Sequence, residues 1–312
     1  MPMNEFELID LLTSGLSTNS ALVKGPGDDC AVLDLGLPDR WVLFKTDAVV
    51  ELVHFRPDTE PEQIGHKALA RCLSDIAAMG GLAISAVVTL ALPANFDPER
   101  LRRVYVGMDR LAARHGVAIS GGETTSNPER MLISVAVIGT VEKSRCVFRS
   151  GAKVGDAIFV SGELGGSLVS RHLDFEPRLK EARWLTEHCP INSMIDVSDG
   201  LAGDLRHVLK ASGVGAELMS RSIPISRAAK LQARAESPAK PPLLAALTDG
   251  EDFELVFTVA SNDAVCVLDG WKQSFPDTRL TCIGRIVSRH GLRLRDGQNT
   301  IDFKGAGYTH FS

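Results

Sequence analysis

Acids set beside glycines or small polar residues recur along the chain: Gly27-Asp28-Asp29, Thr46-Asp47, Ser74-Asp75, Gly122-Glu123, Asp196-Val197-Ser198-Asp199 and Glu251-Asp252. The richest is Lys24-Gly25-Pro26-Gly27-Asp28-Asp29-Cys30, where two adjacent carboxylates follow a glycine-rich turn and precede an apolar, β-type run. Like charges so close are unfavourable unless a cation or a proton compensates them. One such cluster is an ordinary Asx turn. A series of them at the ends of strands and helices suits a shared site, because ligands in α/β proteins gather there. An all-oxygen donor set selects Mg²⁺, Ca²⁺ or Mn²⁺. With Gly-rich backbone it suits a Mg²⁺–nucleotide site, where metal bridges acids and phosphate oxygens. A bare carboxylate about 4 Å from one phosphate charge would cost roughly 4 kcal/mol at an effective dielectric near 20, so cations must lie between them.

Other nucleotide chemistries are excluded by pattern. No Gly-x-x-x-x-Gly-Lys-Ser/Thr loop occurs, and the segment from Gly25 lacks the third glycine of a dinucleotide fingerprint and precedes a strand. Protein-kinase His-Arg-Asp and Asp-Phe-Gly triplets are absent. Cys30, Cys72, Cys146, Cys189, Cys266 and Cys282 never form Cys-x-x-Cys, which disfavours zinc and suits reduced thiols. Net charge is −5 without a long basic run, so nucleic acid is not an expected partner. The longest apolar stretch, near residues 82–92, is too short to span a bilayer. The acidic N-terminus lacks a signal-peptide pattern, so the expected location is cytoplasmic, with no membrane partner.

The elements that must position these acids follow from periodicity. At 312 residues and 44% apolar content the chain is long enough for two domains. A short amphipathic helix is expected over 5–16, a strand over 41–44 running into Lys45-Thr46-Asp47, and a second apolar run over 49–55. Thr59 and Pro61 open a helix with an apolar stripe of Ile64, Ala68, Leu69, Cys72, Leu73 and Ile76, and Gly80-Gly81 ends it. Asp75 falls in its last turn, where the dipole disfavours an anion, which hints at function. A strand over 84–92, a helix capped by Asp97, a short strand over 117–120 entering Gly121-Gly122-Glu123 and a strand over 131–141 complete one α/β or α+β domain. Beyond the Gly-rich segment 149–156 the pattern gives a strand over 157–161 and helices over 163–172 and 177–188. A strand over 193–197, a helix burying Leu201, Leu205, Val208 and Leu209, a loop over 237–242, a strand over 255–259 and a tail of short strands follow.

As a set, Gly27-Asp28-Asp29-Cys30-Ala31-Val32, Thr46-Asp47, His54-Phe55, Lys67-Ala68-Leu69-Ala70, Leu73-Ser74-Asp75-Ile76-Ala77-Ala78-Met79-Gly80, Gly121-Gly122, Arg149-Ser150-Gly151-Ala152-Lys153, Asp196-Val197-Ser198-Asp199-Gly200-Leu201, Gly250-Glu251-Asp252-Phe253-Glu254-Leu255 and Gly307-Tyr308-Thr309-His310-Phe311 span nearly the whole chain. In that order the chain resembles the thiamine-monophosphate kinase family, in the ATP-binding superfamily of aminoimidazole ribonucleotide synthetase and selenophosphate synthetase. The resemblance implies transfer of the ATP γ-phosphoryl group to thiamine monophosphate. It implies a two-domain fold, α/β and α+β: residues 1–145 bind ATP and Mg²⁺ and form a homodimer through their sheet, and residues 146–312 form the C-terminal domain. Matched residue by residue, Asp29, Thr46, Asp47, Asp75, Asp196 and Asp199 fall at metal positions, with Asp75 and Asp199 nearest the chemistry. Tyr105, Gly122, Arg149 and Ser198 fall at ATP contacts, and His54, Glu251 and Tyr308 at substrate contacts.

Two departures stand out. Lys45 occupies a position where the family usually has Ser or Thr, so an ammonium replaces a neutral oxygen and is placed to take one metal's position. Glu123 stands where the family has Asp after two glycines, keeping the charge one methylene further out as a metal ligand. These departures leave two alternatives, a sister enzyme acting on another small acceptor and a non-catalytic nucleotide-binding homologue.

Overall fold

The computed structural model describes residues 5–235, 238–305, 307 and 308. Ser237 of the expected loop and Thr309, His310 and Phe311 of the terminal motif lie outside the described residues. The first part of the chain gives α1 (Glu5–Thr13), β1 (Leu22–Lys24), β2 (Ala31–Leu33), β3 (Arg40–Val50), α2 (Pro61–Ala78), β4 (Leu82–Leu92), α3 (Pro98–His115), β5 (Ala118–Ser126) and β6 (Leu132–Glu142). The second gives β7 (Ala157–Ser161), α4 (Leu179–His188), β8 (Ile191–Asp196), α5 (Leu201–Ser212), β9 (Gly215–Met219), α6 (Arg227–Ala235), α7 (Pro242–Thr248), β10 (Leu255–Val259), α8 (Ala264–Ser274), β11 (Leu280–Val287), β12 (Gly291–Asp296) and β13 (Asn299–Asp302).

Each part builds one mixed sheet. The first runs β1-β2-β3-β6-β4-β5, with only β4 and β5 parallel. The second runs β13-β12-β9-β11-β7-β10-β8, with only β12 and β9 parallel. Sheet membership therefore changes between Glu142 and Ala157, but one buried core joins residues of both sheets, from Leu43 and Ile76 to Phe159, Phe257 and Trp271.

Helix α2 is the keel of the molecule. Pro61 opens it, because proline at a first helical position forfeits no hydrogen bond. Its expected stripe of Ile64, Ala68, Leu69, Cys72, Leu73 and Ile76 is buried. Lys67, Arg71, Ser74 and Asp75 recur on another side at spacings of four and three, so they share a polar stripe that reaches the second half of the chain. Helix α3 lies against α2 at two glycines. A Cβ on Gly65 would sit 1.8 Å from the Val104 carbonyl oxygen, and one on Gly107 would sit 1.9 Å from that of Glu62.

Several expected boundaries are corrected. Strand β3 runs unbroken from Arg40 to Val50, and alternation sends Lys45 and Asp47 to one face and Thr46 to the other. Residues after Val50 turn instead of forming a second strand, with Leu52 at φ 67°. Strand β5 continues through Gly121-Gly122-Glu123 to Ser126. Residues 163–172 hold only a single turn of 3-10 helix, Ser167–Val169, because Gly165 and Gly166 sit at φ 82° and 71° and the Asp252 carboxylate takes the Gly165 N–H. The tail contains α8, whose buried residues are Val267 and Trp271, an apolar stripe too narrow to be read from periodicity.

Candidate active site

Three acids from distant segments meet where the two halves face each other. Asp29 comes from the turn before β2, Asp75 from the last turn of α2 and Asp196 from the end of β8. One carboxylate oxygen from each lies within 4.8 Å of the others. They are 2%, 7% and 3% exposed, so solvent does little to screen their repulsion. Arg149 forks onto Asp29 Oδ1, with Nη2 at 2.6 Å and Nε at 3.2 Å, and its backbone N–H donates to Asp28 Oδ1 at 3.1 Å. Lys45 Nζ lies 2.9 Å from Asp75 Oδ1. The Ser74 hydroxyl donates to Asp196 Oδ2 at 2.6 Å.

This cluster is under-compensated. Burial and Asp29 push Asp28 up to about 6. Burial and Asp29 also push Asp196 up to about 7, against the Ser74 hydrogen bond. Burial raises Asp75 well above the usual carboxylate range, though Lys45 opposes the rise. Burial would lower Lys45, but Asp75 and Asp47 outweigh it and hold the ammonium above the ordinary lysine value. Asp29 Oδ2 is buried without a hydrogen-bond partner.

A second network adjoins the first along α2. Arg71 grips Asp47 through Nε at 2.8 Å and Nη2 at 3.2 Å, and reaches Glu251 Oε1 through Nη1 at 3.0 Å. Lys67, whose side chain is 1% exposed, pairs with Glu251 Oε2 at 2.6 Å, as an ion pair outside hydrogen-bond angles. It also donates to the His54 carbonyl at 3.0 Å and contacts His172 Nδ1 at 2.9 Å. An ammonium only donates, so His172 Nδ1 is the acceptor and carries no proton. His54 Nδ1 accepts the Val50 N–H at 3.0 Å, which puts the ring proton on Nε2. Burial and then Arg71 lower His54 to about 4.

The model that matches residues 27–141 is that of the AIR synthase related protein, N-terminal domain. The chain is 42% identical over 278 residues to the thiamine-monophosphate kinase of Rhodopirellula baltica, spanning 87% of this chain and 85% of that one. The chain belongs to the thiamine-monophosphate kinase family. It is also 35% identical to the Escherichia coli K12 thiamine-monophosphate kinase, over 100% of this chain and 99% of the other. A solved structure described as AaThiL complexed with AMPPCP and TMP superposes with a TM-score of 0.84 at 31% identity, covering 99% of this chain and 97% of that one. Escherichia coli HypE, at 21% identity and a TM-score of 0.71, shares the fold.

Within this family framework the structure gathers most, but not all, of the residues expected to carry chemistry. Asp29, Asp75, Asp196, Lys45 and Arg149 converge, and Asp47, Glu251 and His54 line the adjoining network. Asp199 enters through its backbone. Its N–H donates to Asp204 Oδ2 at 3.0 Å and its carbonyl accepts the Tyr308 N–H at 2.9 Å. The Ser198 carbonyl accepts the Glu251 N–H at 2.7 Å, which ties the 196–200 turn to the 249–254 loop. Glu251 and Phe253 sit there at φ 70° and 49°, a costly conformation for residues with a Cβ.

Thr46, Gly122, Glu123 and Tyr105 do not join the cluster. The Thr46 hydroxyl lies 3.3 Å from that of Ser134 on the opposite face of β3, because it is one residue out of phase with Lys45 and Asp47. Gly122 and Glu123 are exposed on β5, and Glu123 Oε1 accepts the Thr124 N–H at 2.9 Å. A Cβ on Gly122 would lie 1.8 Å from the Val88 carbonyl oxygen, so close strand pairing requires this glycine. Tyr105 is half-buried against the core. Sequence reasoning missed Arg71 and Asp204 and quoted Lys67 only within a motif. The signal for Lys67 and Arg71 was their spacing with Asp75, charges four apart along one line of the helix in its otherwise mostly apolar second half. Buried Glu254 was quoted only within a motif; it is held by Arg171 at 2.6 Å and by Arg178 at 2.8 Å.

Proposed function

We propose that this chain transfers the γ-phosphoryl group of ATP to the phosphate of thiamine monophosphate, giving thiamine diphosphate and ADP. The observation that carries the reading is the convergence of buried Asp29, Asp75 and Asp196 from three segments, in a chain related end to end to kinases of this name. Their donor atoms are all oxygen, and Asp29 Oδ2 is buried with no partner, which fits Mg²⁺. Asp29, Asp75 and Asp196 would hold that ion, with Asp47 and Asp199 as neighbours. Bound there, Mg²⁺ supplies charge neutralisation between carboxylates and polyphosphate.

The remaining work belongs to the chain. An oxygen of the acceptor phosphate attacks the γ-phosphorus, and the bond to the β–γ bridging oxygen breaks, leaving ADP. No covalent enzyme intermediate is needed, so positioning and electrostatics supply the acceleration. Arg149, whose Nε and Nη2 sit on Asp29 Oδ1, is assigned to a phosphate oxygen through Nη1, and Ser198 lies on the same turn as Asp196. His54, Glu251 and Tyr308 are assigned to the acceptor, with Lys67 and Arg71 fixing Glu251. We further assign a homodimer built on the outer face of the first sheet. Phe44 and Ile138, opposite each other in register, lie with Leu82, Ile84 and Val87 on that sheet, each 40–47% exposed. A patch of this kind marks an interaction surface. A cytoplasmic setting agrees with six free cysteines; no helix among the described residues is long and apolar enough to cross a membrane.

The test is direct. Purified protein with ATP, Mg²⁺ and thiamine monophosphate yields thiamine diphosphate and ADP in equal amounts. No product with this acceptor, alongside turnover of another, overturns the substrate assignment.

A further inference from the structure

We propose that Lys45 is a resident cation of the acidic seat, so that the site takes one divalent ion fewer than it would with a neutral side chain at this position. The inference rests on the reading of Asp29, Asp75 and Asp196 as a divalent-ion seat. What it adds is the division of that seat between a fixed charge and an exchangeable one.

The geometry assigns each carboxylate a different compensation. Asp29 Oδ1 is taken by the Arg149 fork. Asp47 is taken by the Arg71 fork, which leaves Asp75 as the carboxylate within ion-pair distance of Lys45. Asp196 receives the Ser74 hydroxyl, a neutral donor. Asp29 Oδ2, in a residue 2% exposed, has no hydrogen-bond partner at all. The charge still to be supplied therefore lies towards Asp29, Asp196 and the second oxygen of Asp75, whose Oδ1 already has its cation.

Lys45 is also built to stay. It projects from the middle of β3, an unbroken strand paired residue for residue with β6 from Arg40 to Val50. Its side chain is 24% exposed, and alternation along the strand forces it to the same face as Asp47. A compact ammonium on a four-carbon stem is a point charge that can sit at a cation position without a preferred fork geometry. Neighbouring Asp47 and Cys30 offer it no alternative partner of opposite charge that is not already engaged, since Arg71 holds the former and the latter is a buried thiol.

Chelator-treated wild type, Lys45→Thr and Lys45→Met are compared by two readouts that need no turnover. The first counts bound Mn²⁺ per chain by electron paramagnetic resonance with AMPPCP present. The second follows melting temperature against Mg²⁺ without nucleotide. The variants are expected to bind one more Mn²⁺ per chain than wild type. They should melt several degrees lower in chelator, recover with Mg²⁺, and show half-saturation at least tenfold below that of wild type. Equal counts and equal midpoints overturn the inference and leave the kinase reading standing. No ion in any of the proteins removes the seat and overturns both. If neither variant folds in chelator, recovery of folding by Mg²⁺ supports the inference and failure to recover opposes it. Lys45→Arg, which keeps the charge, must hold the wild-type Mn²⁺ count, and an extra ion in that protein counts against the idea.

Discussion

Asp75→Asn should separate catalysis from stability. In the folded chain Asp75 has one close attraction, Lys45 at 2.9 Å, and repulsions from Asp196, Asp47 and Asp29, of which Asp29 and Asp196 lie within 4.8 Å. With an effective dielectric near 20, the attraction is worth about 6 kcal/mol and each of these two nearer repulsions about 3.5 kcal/mol. Burial of the carboxylate adds a further cost that the amide does not carry. Asparagine keeps the shape and removes both sets of charge terms, which nearly cancel. The chelated protein should therefore melt within about 3 °C of wild type, since about 1 kcal/mol moves a chain of this size by roughly 2 °C. The Lys45 ammonium left behind still faces Asp47 and Asp196. Phosphoryl transfer loses one of three converging carboxylates and should fall by about a thousandfold, or about 4 kcal/mol of transition-state stabilisation. Differential scanning calorimetry in chelator and a coupled ADP assay measure the two. A fall in melting temperature above about 10 °C would show that Asp75 holds the fold together, and the account of a strained, metal-seeking cluster would be wrong.

Arg71→Ala should do the opposite, because it leaves Asp47 and Glu251 without their shared partner. Breaking such a pair from one side costs about 3–5 kcal/mol, readable as a shift in the urea midpoint, and a shift below 1 kcal/mol would contradict the network. The His54 ring, lowered to about 4 by burial and Arg71, stabilises the fold in its neutral form. Its contribution is complete above about pH 6.5 and is lost as pH falls through 4, so His54→Gln should flatten the acid limb of the stability curve by about 2 kcal/mol after allowing for partial exposure. An unchanged acid limb rules this out. Gly107→Ala would drive a Cβ to within 1.9 Å of the Glu62 carbonyl and should lower the melting temperature by about 5 °C, the equivalent of about 3 kcal/mol, with thermal unfolding as the check.

Much of this was legible beforehand where one physical signal dominated. The apolar stripe of α2, its proline start and its glycine stop fixed that helix, and Asp75 in its last turn, where the dipole disfavours an anion, pointed to a residue that the structure places beside Asp29 and Asp196. The acids at Asp29 and Asp196 were recognisable only as members of a series, because a single acid cluster in a turn is an ordinary Asx turn. Strand β3 was harder to read: Lys45-Thr46-Asp47 looks like a loop, and only pairing along all of β6 keeps it extended. The 163–172 segment was misread as helix because its local pattern competes with long-range contacts. Asp252, 85 residues away, claims Ser167, and Arg171 reaches buried Glu254. Such partners leave no trace in local periodicity. The same holds for Thr46, whose side-chain direction depends on strand phase that composition does not encode.

One helix carries both the grease and the charge of this protein. The side of α2 that seals the first sheet sits within a turn of the side that lines the reactive cleft, so the two cannot be tuned apart. A cavity opened under Ile64 or Leu73 would let the helix settle, and Lys67, Arg71 and Asp75 would travel with it. Variants chosen for heat tolerance are safer in the β12–β13 hairpin, remote in topology from that helix. Defects scored as catalytic along α2 need a stability measurement before any role in turnover is assigned.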